Sequence, residues 1–260
     1  MLQAVLDAVE VAGKNILKVY DSDDFGIECK EDDSPLTKAD RLAHEVLVEK
    51  LAALNSGPIL SEEDANIPWD ERKTWSHYWL VDPLDGTKEF IKRNGEFTVN
   101  VAYIENGVPV LGVVYAPAKS LWYYAAKGSG AFKKTADSEA VPISPSPLPK
   151  QGEHWRVVGS RSHSSKDFDD FMANFSNADL VSMGSSLKLC LVADGSADLY
   201  PRLIPTSEWD TAAAQAVVEV AGGKVLNWET KKPLRYNTKS ELLNPYFVVC
   251  ATESEVWLNK

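Results

Sequence analysis

Apolar residues at Leu2, Val5, Leu6, Val9, Ile16 and Tyr20 recur at helical spacing, which predicts one amphipathic helix from the start of the chain to Tyr20. An acidic loop follows from Glu28 to Ser34. Thr37-Lys38-Ala39-Asp40 has the form of a capping box, so a second helix is expected to run to about Leu54, with Gly57-Pro58 breaking it. Beyond that point the pattern changes. Tyr78-Trp79-Leu80-Val81 reads as a short buried strand. Phe97 to Ile104 is β-rich, Asn106-Gly107 is a hairpin turn, and Val108 to Tyr115 is the return strand. Pro117 turns the chain again, and Leu121 to Ala126 is a third strand. The first half therefore reads as two helices followed by an antiparallel meander.

Lys134 to Glu153 holds Pro142, Pro145, Pro147 and Pro149 with little periodic apolar pattern, and marks a boundary. The second half alternates. Arg156 to Gly159 and Ala197 to Tyr200 are strand-like, whereas Phe168 to Phe175 and Leu187 to Ala193 are helix-like. Trp209 to Ala221 reads as one Ala-rich helix ended by Gly222-Gly223, and Lys224 to Asn227 and Tyr246 to Ala251 read as strands. Alternation of this kind predicts a layered α/β lobe. Two lobes are expected, residues 1–140 and 154–260.

Composition narrows the class. With 44% apolar and 25% charged residues in 260, the chain reads as an ordinary globular protein with enough length for a substantial core. The 38 Asp and Glu exceed the 27 Lys and Arg, for a net charge of −11. That excess disfavours nucleic acid, which needs a basic face, and docking on an anionic bilayer. It favours a cationic ligand or a metal. Asp7, Glu10 and Lys14 interrupt the first segment, so it reads as neither a signal peptide nor a membrane span. Cys29, Cys190 and Cys250 are scattered and without a CxxC pair, which speaks against a disulfide framework or a structural zinc and for a reducing, cytoplasmic setting. Nothing in the pattern distinguishes a monomer from a homodimer.

Several catalytic templates are absent: the G-x-S-x-G elbow, the P-loop, G-x-G-x-x-G and HExxH. Carboxylates in a suggestive order remain. Ser61-Glu62-Glu63-Asp64 follows Ile59-Leu60, Asp82-Pro83-Leu84-Asp85-Gly86-Thr87 follows the buried strand, and Trp209-Asp210 opens a helix. A tight turn through Pro83-Leu84 can aim Asp82, Asp85 and the Leu84 carbonyl at one small volume. Hard divalent cations take such oxygen ligands, and two of them can activate water and stabilise a leaving oxygen of a phosphate ester. Each feature also has a plain structural reading. The Asp82–Gly86 run is a good β-turn, Thr37–Asp40 a capping box, Asp210 an N-cap, His163 a surface loop residue and Lys188 a solvated helix charge.

The pieces together resemble the inositol-monophosphatase-like superfamily of Mg²⁺-dependent, lithium-sensitive phosphatases. The match covers nearly the whole chain. Asp32-Asp33-Ser34-Pro35-Leu36-Thr37-Lys38-Ala39-Asp40 resembles the family's D-x-S-P-x-T-x-A-D loop, and Leu60-Ser61-Glu62-Glu63 its metal-binding Glu segment. Asp82-Pro83-Leu84-Asp85-Gly86-Thr87-Lys88-Glu89-Phe90 is the most specific piece. Its Lys-Glu-Phe ending, with Gly184 to Cys190 and Leu199-Tyr200-Pro201-Arg202, is similar to the bacterial 3′(2′),5′-bisphosphate nucleotidase branch. Trp209-Asp210-Thr211-Ala212-Ala213 with Ala221-Gly222-Gly223 resembles the second family motif.

The resemblance implies a mixed α/β fold, layered as an α-β-α-β-α sandwich. It implies two or three Mg²⁺ ions: Glu62, Asp82 and the Leu84 carbonyl would bind one, and Asp82, Asp85 and Asp210 a second. Thr87, with Glu62 or Asp32, would align the attacking water and relay its proton, Asp33 taking the place of Asp32 if the alignment slips by one. Gly86 and Thr87 amides would meet phosphate oxygens, and His163, Ser185, Lys188 and Arg202 match nucleotide-contacting positions. The implied reaction removes the 3′-phosphate from 3′-phosphoadenosine 5′-phosphate, giving AMP and phosphate. A sugar phosphatase acting on inositol phosphates or fructose bisphosphate is the alternative within the class. A non-catalytic nucleotide sensor is the alternative outside it. A weak peripheral association with the inner membrane is compatible with the chain, which carries no transmembrane segment.

Overall fold

The computed structural model describes residues 1–29, 35–150, 152–160 and 166–254. The helical periodicity at the start becomes α1 (Leu2–Tyr20), followed by a short antiparallel pair, β1 (Glu28–Cys29) and β2 (Pro35–Leu36), and by α2 (Lys38–Ala52). The expected capping box starts α2. The Ala39 amide donates to the Thr37 hydroxyl at 3.2 Å, and the Thr37 amide donates to Asp40 at 2.7 Å.

Next come β3 (Ile59–Ser61), α3 (Trp69–Arg72), β4 (His77–Asp85), α4 (Thr87–Ile91), β5 (Thr98–Glu105), β6 (Val108–Ala116), β7 (Leu121–Ala126), β8 (Gly130–Lys134) and β9 (Val141–Pro142). The seven strands form one sheet in chain order. It is the expected meander, antiparallel throughout except that β3 runs parallel to β4. Asn106 and Gly107 take left-handed φ of 50° and 75°, as a two-residue hairpin of this hand requires. The second half supplies β10 (Trp155–Ser160), α5 (Lys166–Met172), β11 (Ala178–Met183), α6 (Leu187–Ala193), β12 (Leu199–Arg202), α7 (Ala212–Val220), β13 (Lys224–Asn227) and β14 (Phe247–Cys250). Its five strands are ordered β11-β10-β12-β14-β13.

Three apolar clusters stack these elements into alternating helix and sheet layers. Val9, Ile16 and Leu47 of α1 and α2 bury one face of the large sheet through Trp79, Val101 and Val113. Leu80, Ala102 and Val114 on its other face pack against Leu189 of α6 and Val217 of α7, and through them against Tyr200 and Val249 of the small sheet. Phe171 of α5 covers the outer face of that sheet at Val157, Leu199 and Val248. Strands buried on both faces explain the continuous apolar runs in β4 to β6. At Gly112 of β6 a Cβ would lie 2.1 Å from the Ala213 carbonyl, so only glycine lets the α7 backbone approach this closely.

Three expectations change. Trp209 to Ala221 is not one helix: a tight 3₁₀ turn, Glu208–Asp210, precedes α7. Ser207 and Asp210 cap each other reciprocally, which closes that turn before the helix begins. The Pro-rich boundary is not structureless, because β9 pairs with β8 inside it. Strand β4 also continues through Asp82 to Asp85, where a turn was expected. Among the described residues no helix is long and apolar enough to cross a membrane.

Candidate active site

Parallel pairing places the first two acids side by side. Ser61 registers with Val81, and the Glu62 amide donates to the Val81 carbonyl at 3.0 Å, so Glu62 and Asp82 leave adjacent strand ends together. The two carboxylates lie close enough for Glu62 to raise the pKa of Asp82. The ladder with β5 holds at Asp82–Asn100, then shifts register before Asp85 reaches Thr98. Within that bulge the Leu84 amide donates to Asp82 Oδ1 at 3.0 Å. A bulge re-aims side chains and terminates pairing. Here it keeps Asp82 buried and turns Asp85 toward α6, where Asp85 accepts the Ser186 amide at 2.5 Å. Gly86 makes the turn itself with φ +95°, and a Cβ there would lie 3.1 Å from the Glu96 carbonyl.

The second half contributes from across the sequence. Asp210, held by the Ser207 amide at 2.9 Å, lines one small cleft together with Asp85, Ser185, Lys188 and Arg202. Lys188 is buried and donates to the Ser185 carbonyl at 2.6 Å, with its ammonium 6.0 Å from the Tyr200 ring centre. Ser185 holds a left-handed φ of 50°. Arg202 donates to the Pro205 carbonyl at 3.2 Å, and its Nε is buried without a hydrogen-bond partner among the described residues. Hence Glu62, Asp82, Leu84, Asp85, Gly86, Thr87, Ser185, Lys188, Arg202 and Asp210 are gathered from both halves. Asp32 and His163 lie outside the described residues.

One residue was missed at the sequence level. Asp40 reads as the far end of a capping box, and it is one. Its Oδ2 takes both the amide and the hydroxyl of Thr37, at 2.7 and 2.6 Å. Its Oδ1 remains for the Thr87 hydroxyl, at 3.3 Å, with the Leu84 carbonyl an alternative acceptor at 3.4 Å. A link between residues this distant in sequence has no local signal.

The acids disturb one another. Burial, then Glu62, Asp85 and Asp210, push Asp82 well above the usual carboxylate range. Burial raises Asp85 against the opposing pull of Lys188, the Ser186 amide and Arg202. Burial and Asp85 push Asp210 up to about 8. Burial drives Lys188 the other way, down to about 8. Among the described residues no three or more His, Cys, Asp or Glu side chains close a ready ligand cage. Glu62, Asp85 and Asp210 nonetheless all act on Asp82 electrostatically, so the four carboxylates share one region. That donor set, all oxygen and anionic, fits a hard divalent cation that keeps part of its hydration.

The profile of the inositol monophosphatase family matches residues 1–256. Curated relatives called 3′(2′),5′-bisphosphate nucleotidase CysQ include one from Salmonella typhimurium, 47% identical over 96% of this chain and 99% of its own length. That from Escherichia coli is 45% identical over the same shares. A crystal structure of CysQ from Bacteroides thetaiotaomicron, described as a bacterial member of the inositol monophosphatase family, superposes with a TM-score of 0.85 at 43% identity over 97% of both chains. On fold, on sequence over nearly its whole length and on its relatives, the chain belongs to the inositol monophosphatase family.

Proposed function

We propose that the chain is a Mg²⁺-dependent 3′(2′),5′-bisphosphate nucleotidase that converts 3′-phosphoadenosine 5′-phosphate to AMP and phosphate. The observation that carries this reading is the pairing of opposite charges in one cleft: Asp85 and Asp210 beside Lys188 and Arg202. The anionic side suits cations, and the cationic side suits the second phosphate of a bisphosphate. The CysQ name of the relatives supports the same substrate.

Glu62, Asp82 and the Leu84 carbonyl would hold one Mg²⁺, and Asp82, Asp85 and Asp210 a second. When bound, such ions supply Lewis acidity that acidifies water and neutralises charge on phosphate and on the leaving oxygen. The chain's own groups do the rest. Thr87 donates its hydroxyl proton to Asp40, so its lone pairs are left to accept from the attacking water. Gly86 and Thr87 amides take phosphate oxygens. Ser185, Lys188 and Arg202 bind the nucleotide side. The resemblance adds Asp32 beside the water and His163 on the nucleotide. Water attacks phosphorus in line, its proton passes to Glu62 or Asp32, and the bond to the ribose 3′-oxygen breaks as that oxygen takes a proton from solvent, so AMP and phosphate form with no covalent phosphoenzyme.

Phosphate release from 3′-phosphoadenosine 5′-phosphate and from inositol 1-phosphate, each with and without Mg²⁺ and Li⁺, tests this. The expected result is Mg²⁺-dependent, Li⁺-inhibited preference for the nucleotide. Preference for the inositol ester assigns a sugar phosphatase instead, and nucleotide binding without turnover assigns a sensor.

A further inference from the structure

Arg72 ends α3, in the stretch of chain that begins at Glu62, and only 3% of it is exposed. Its guanidinium donates in three directions. Nε reaches the Ile67 carbonyl at 3.0 Å, Nη1 reaches Asn237 Oδ1 at 2.7 Å, and Nη2 reaches the Ser240 carbonyl at 2.8 Å. Asn237 returns a bond from Nδ2 to the Arg72 carbonyl at 2.6 Å. Its backbone amide donates to both oxygens of Glu208, at 3.0 and 2.9 Å. Glu208 is the first residue of the turn whose last residue is Asp210. A continuous hydrogen-bonded chain thus runs from Arg72, downstream of Glu62, through the half-buried Asn237 to Glu208 and the turn that ends at Asp210. None of these three intermediaries lines the cleft.

A planar fork with fixed donors sets distance and angle in a way a flexible ammonium does not. Outer groups that orient metal ligands typically change affinity about 10–100-fold when removed. We infer that Arg72 is a positioning residue: it braces Asp210 against the strand ends that carry Glu62 and Asp82, and so sets the spacing of the cation site. This rests on the reading of those acids as cation ligands.

The test uses the full chain and Mn²⁺ as the probe. Mn²⁺ affinity is measured directly by calorimetry, and the Mg²⁺ concentration for half-maximal phosphate release is measured separately. Arg72→Met removes the fork. Asn237→Gly breaks its link to Glu208's partner while keeping the amide that Glu208 accepts, and glycine tolerates the φ of 52° at that position. Both variants are expected to bind Mn²⁺ about tenfold or more weakly and to need correspondingly more Mg²⁺. KM for the nucleotide at saturating Mg²⁺ should stay nearly unchanged. A folded variant with wild-type Mn²⁺ affinity overturns the inference, whatever its melting temperature. If Arg72→Met does not fold, Asn237→Gly decides by the same criterion. Failure of the wild-type chain itself to bind Mn²⁺ overturns the cation reading of the site, and this inference with it.

Discussion

Single atoms decide what the acids can do. Asp85→Asn keeps the shape of a side chain that accepts an amide from α6, so the fold should stand, with circular dichroism unchanged. If Asp85 holds a cation as proposed, phosphate release should fall by roughly a hundredfold or more, because that carboxylate charge is gone. Asp40 offers a finer experiment. One of its oxygens serves the helix cap and the other the Thr87 hydroxyl. At this third helical position an Asn oxygen can still accept the Thr37 amide and leave the Thr37 cap in place, but a single oxygen cannot serve Thr87 as well. Asp40→Asn should therefore retain helicity while kcat drops about tenfold or more, and Thr87→Val should lower kcat by roughly 10²–10⁴-fold with KM little changed. Steady-state kinetics beside a thermal melt check both. At this scale Glu62, Asp82, Asp85 and Asp210 were legible in the sequence, since each sits in a short motif of its own that resembles a family segment. Asp40 was legible only as a cap, because its second partner comes from a different element.

Elements bring these atoms together through a few close contacts. Gly112→Ala would drive a methyl into the Ala213 carbonyl and push α7 off the sheet, together with the turn that presents Asp210. Overpacking of this kind costs roughly 1–3 kcal/mol, read as a lower denaturant midpoint. Helix α6, which carries Lys188, is tied to the same sheet at its far end. The nearly buried Asp194 carboxylate accepts Lys133 Nζ at 2.6 Å, the Tyr123 hydroxyl at 2.8 Å and the Ser196 amide at 3.0 Å. Burial would raise its pKa, but the bonds from Lys133, Ser196 and Tyr123 together outweigh it and hold it below the usual range. A depressed carboxylate stabilises above its unfolded pKa, and that contribution disappears as pH falls through the folded one. Asp194→Asn should thus lose roughly 1–3 kcal/mol at neutral pH. The gap to the wild type should close in acid below pH 4 or thereabouts, as urea titrations at several pH values would show. Helical periodicity revealed α1 and α2, and β-rich runs around the Asn106-Gly107 and Pro117 turns revealed β5, β6 and β7. The mixed polarity of β8 and the half-exposed edge strand β11 concealed them. The 3₁₀ turn before α7 was hidden because an Ala-rich run reads as helix wherever its cap lies.

The whole molecule carries a net charge of −11, yet its proposed substrate is a polyanion. Folding resolves the tension by sorting charges: a few acids are buried together, and Lys188 and Arg202 face them across one cleft. Concentrating acids in this way has a thermodynamic signature. With their pKa values raised, Asp82 and Asp210 hold protons in the folded state that the unfolded chain has released. Without metal, stability should fall as pH rises from near 4, the ordinary carboxylate range, through the value of about 8 at Asp210. Mg²⁺ should remove most of that slope by replacing the protons, and should add about 2.7 kcal/mol at a hundred times its Kd. Melting curves with Mg²⁺ and with EDTA across this window test it; a flat metal-free profile would contradict the acid cluster. The sequence by itself determined the layered α/β class and the family. Buried strands and amphipathic helices impose local periods, and each acidic motif is a short run that can be read by itself. Only the tertiary structure decided that Asp40 reaches Thr87, that a strand bulge rather than a turn separates Asp82 from Asp85, and that Arg72 is bonded to Asn237, which holds Glu208 in the turn of Asp210. Those are contacts between distant segments, and their geometry comes from packed layers, to which no local pattern of residues refers.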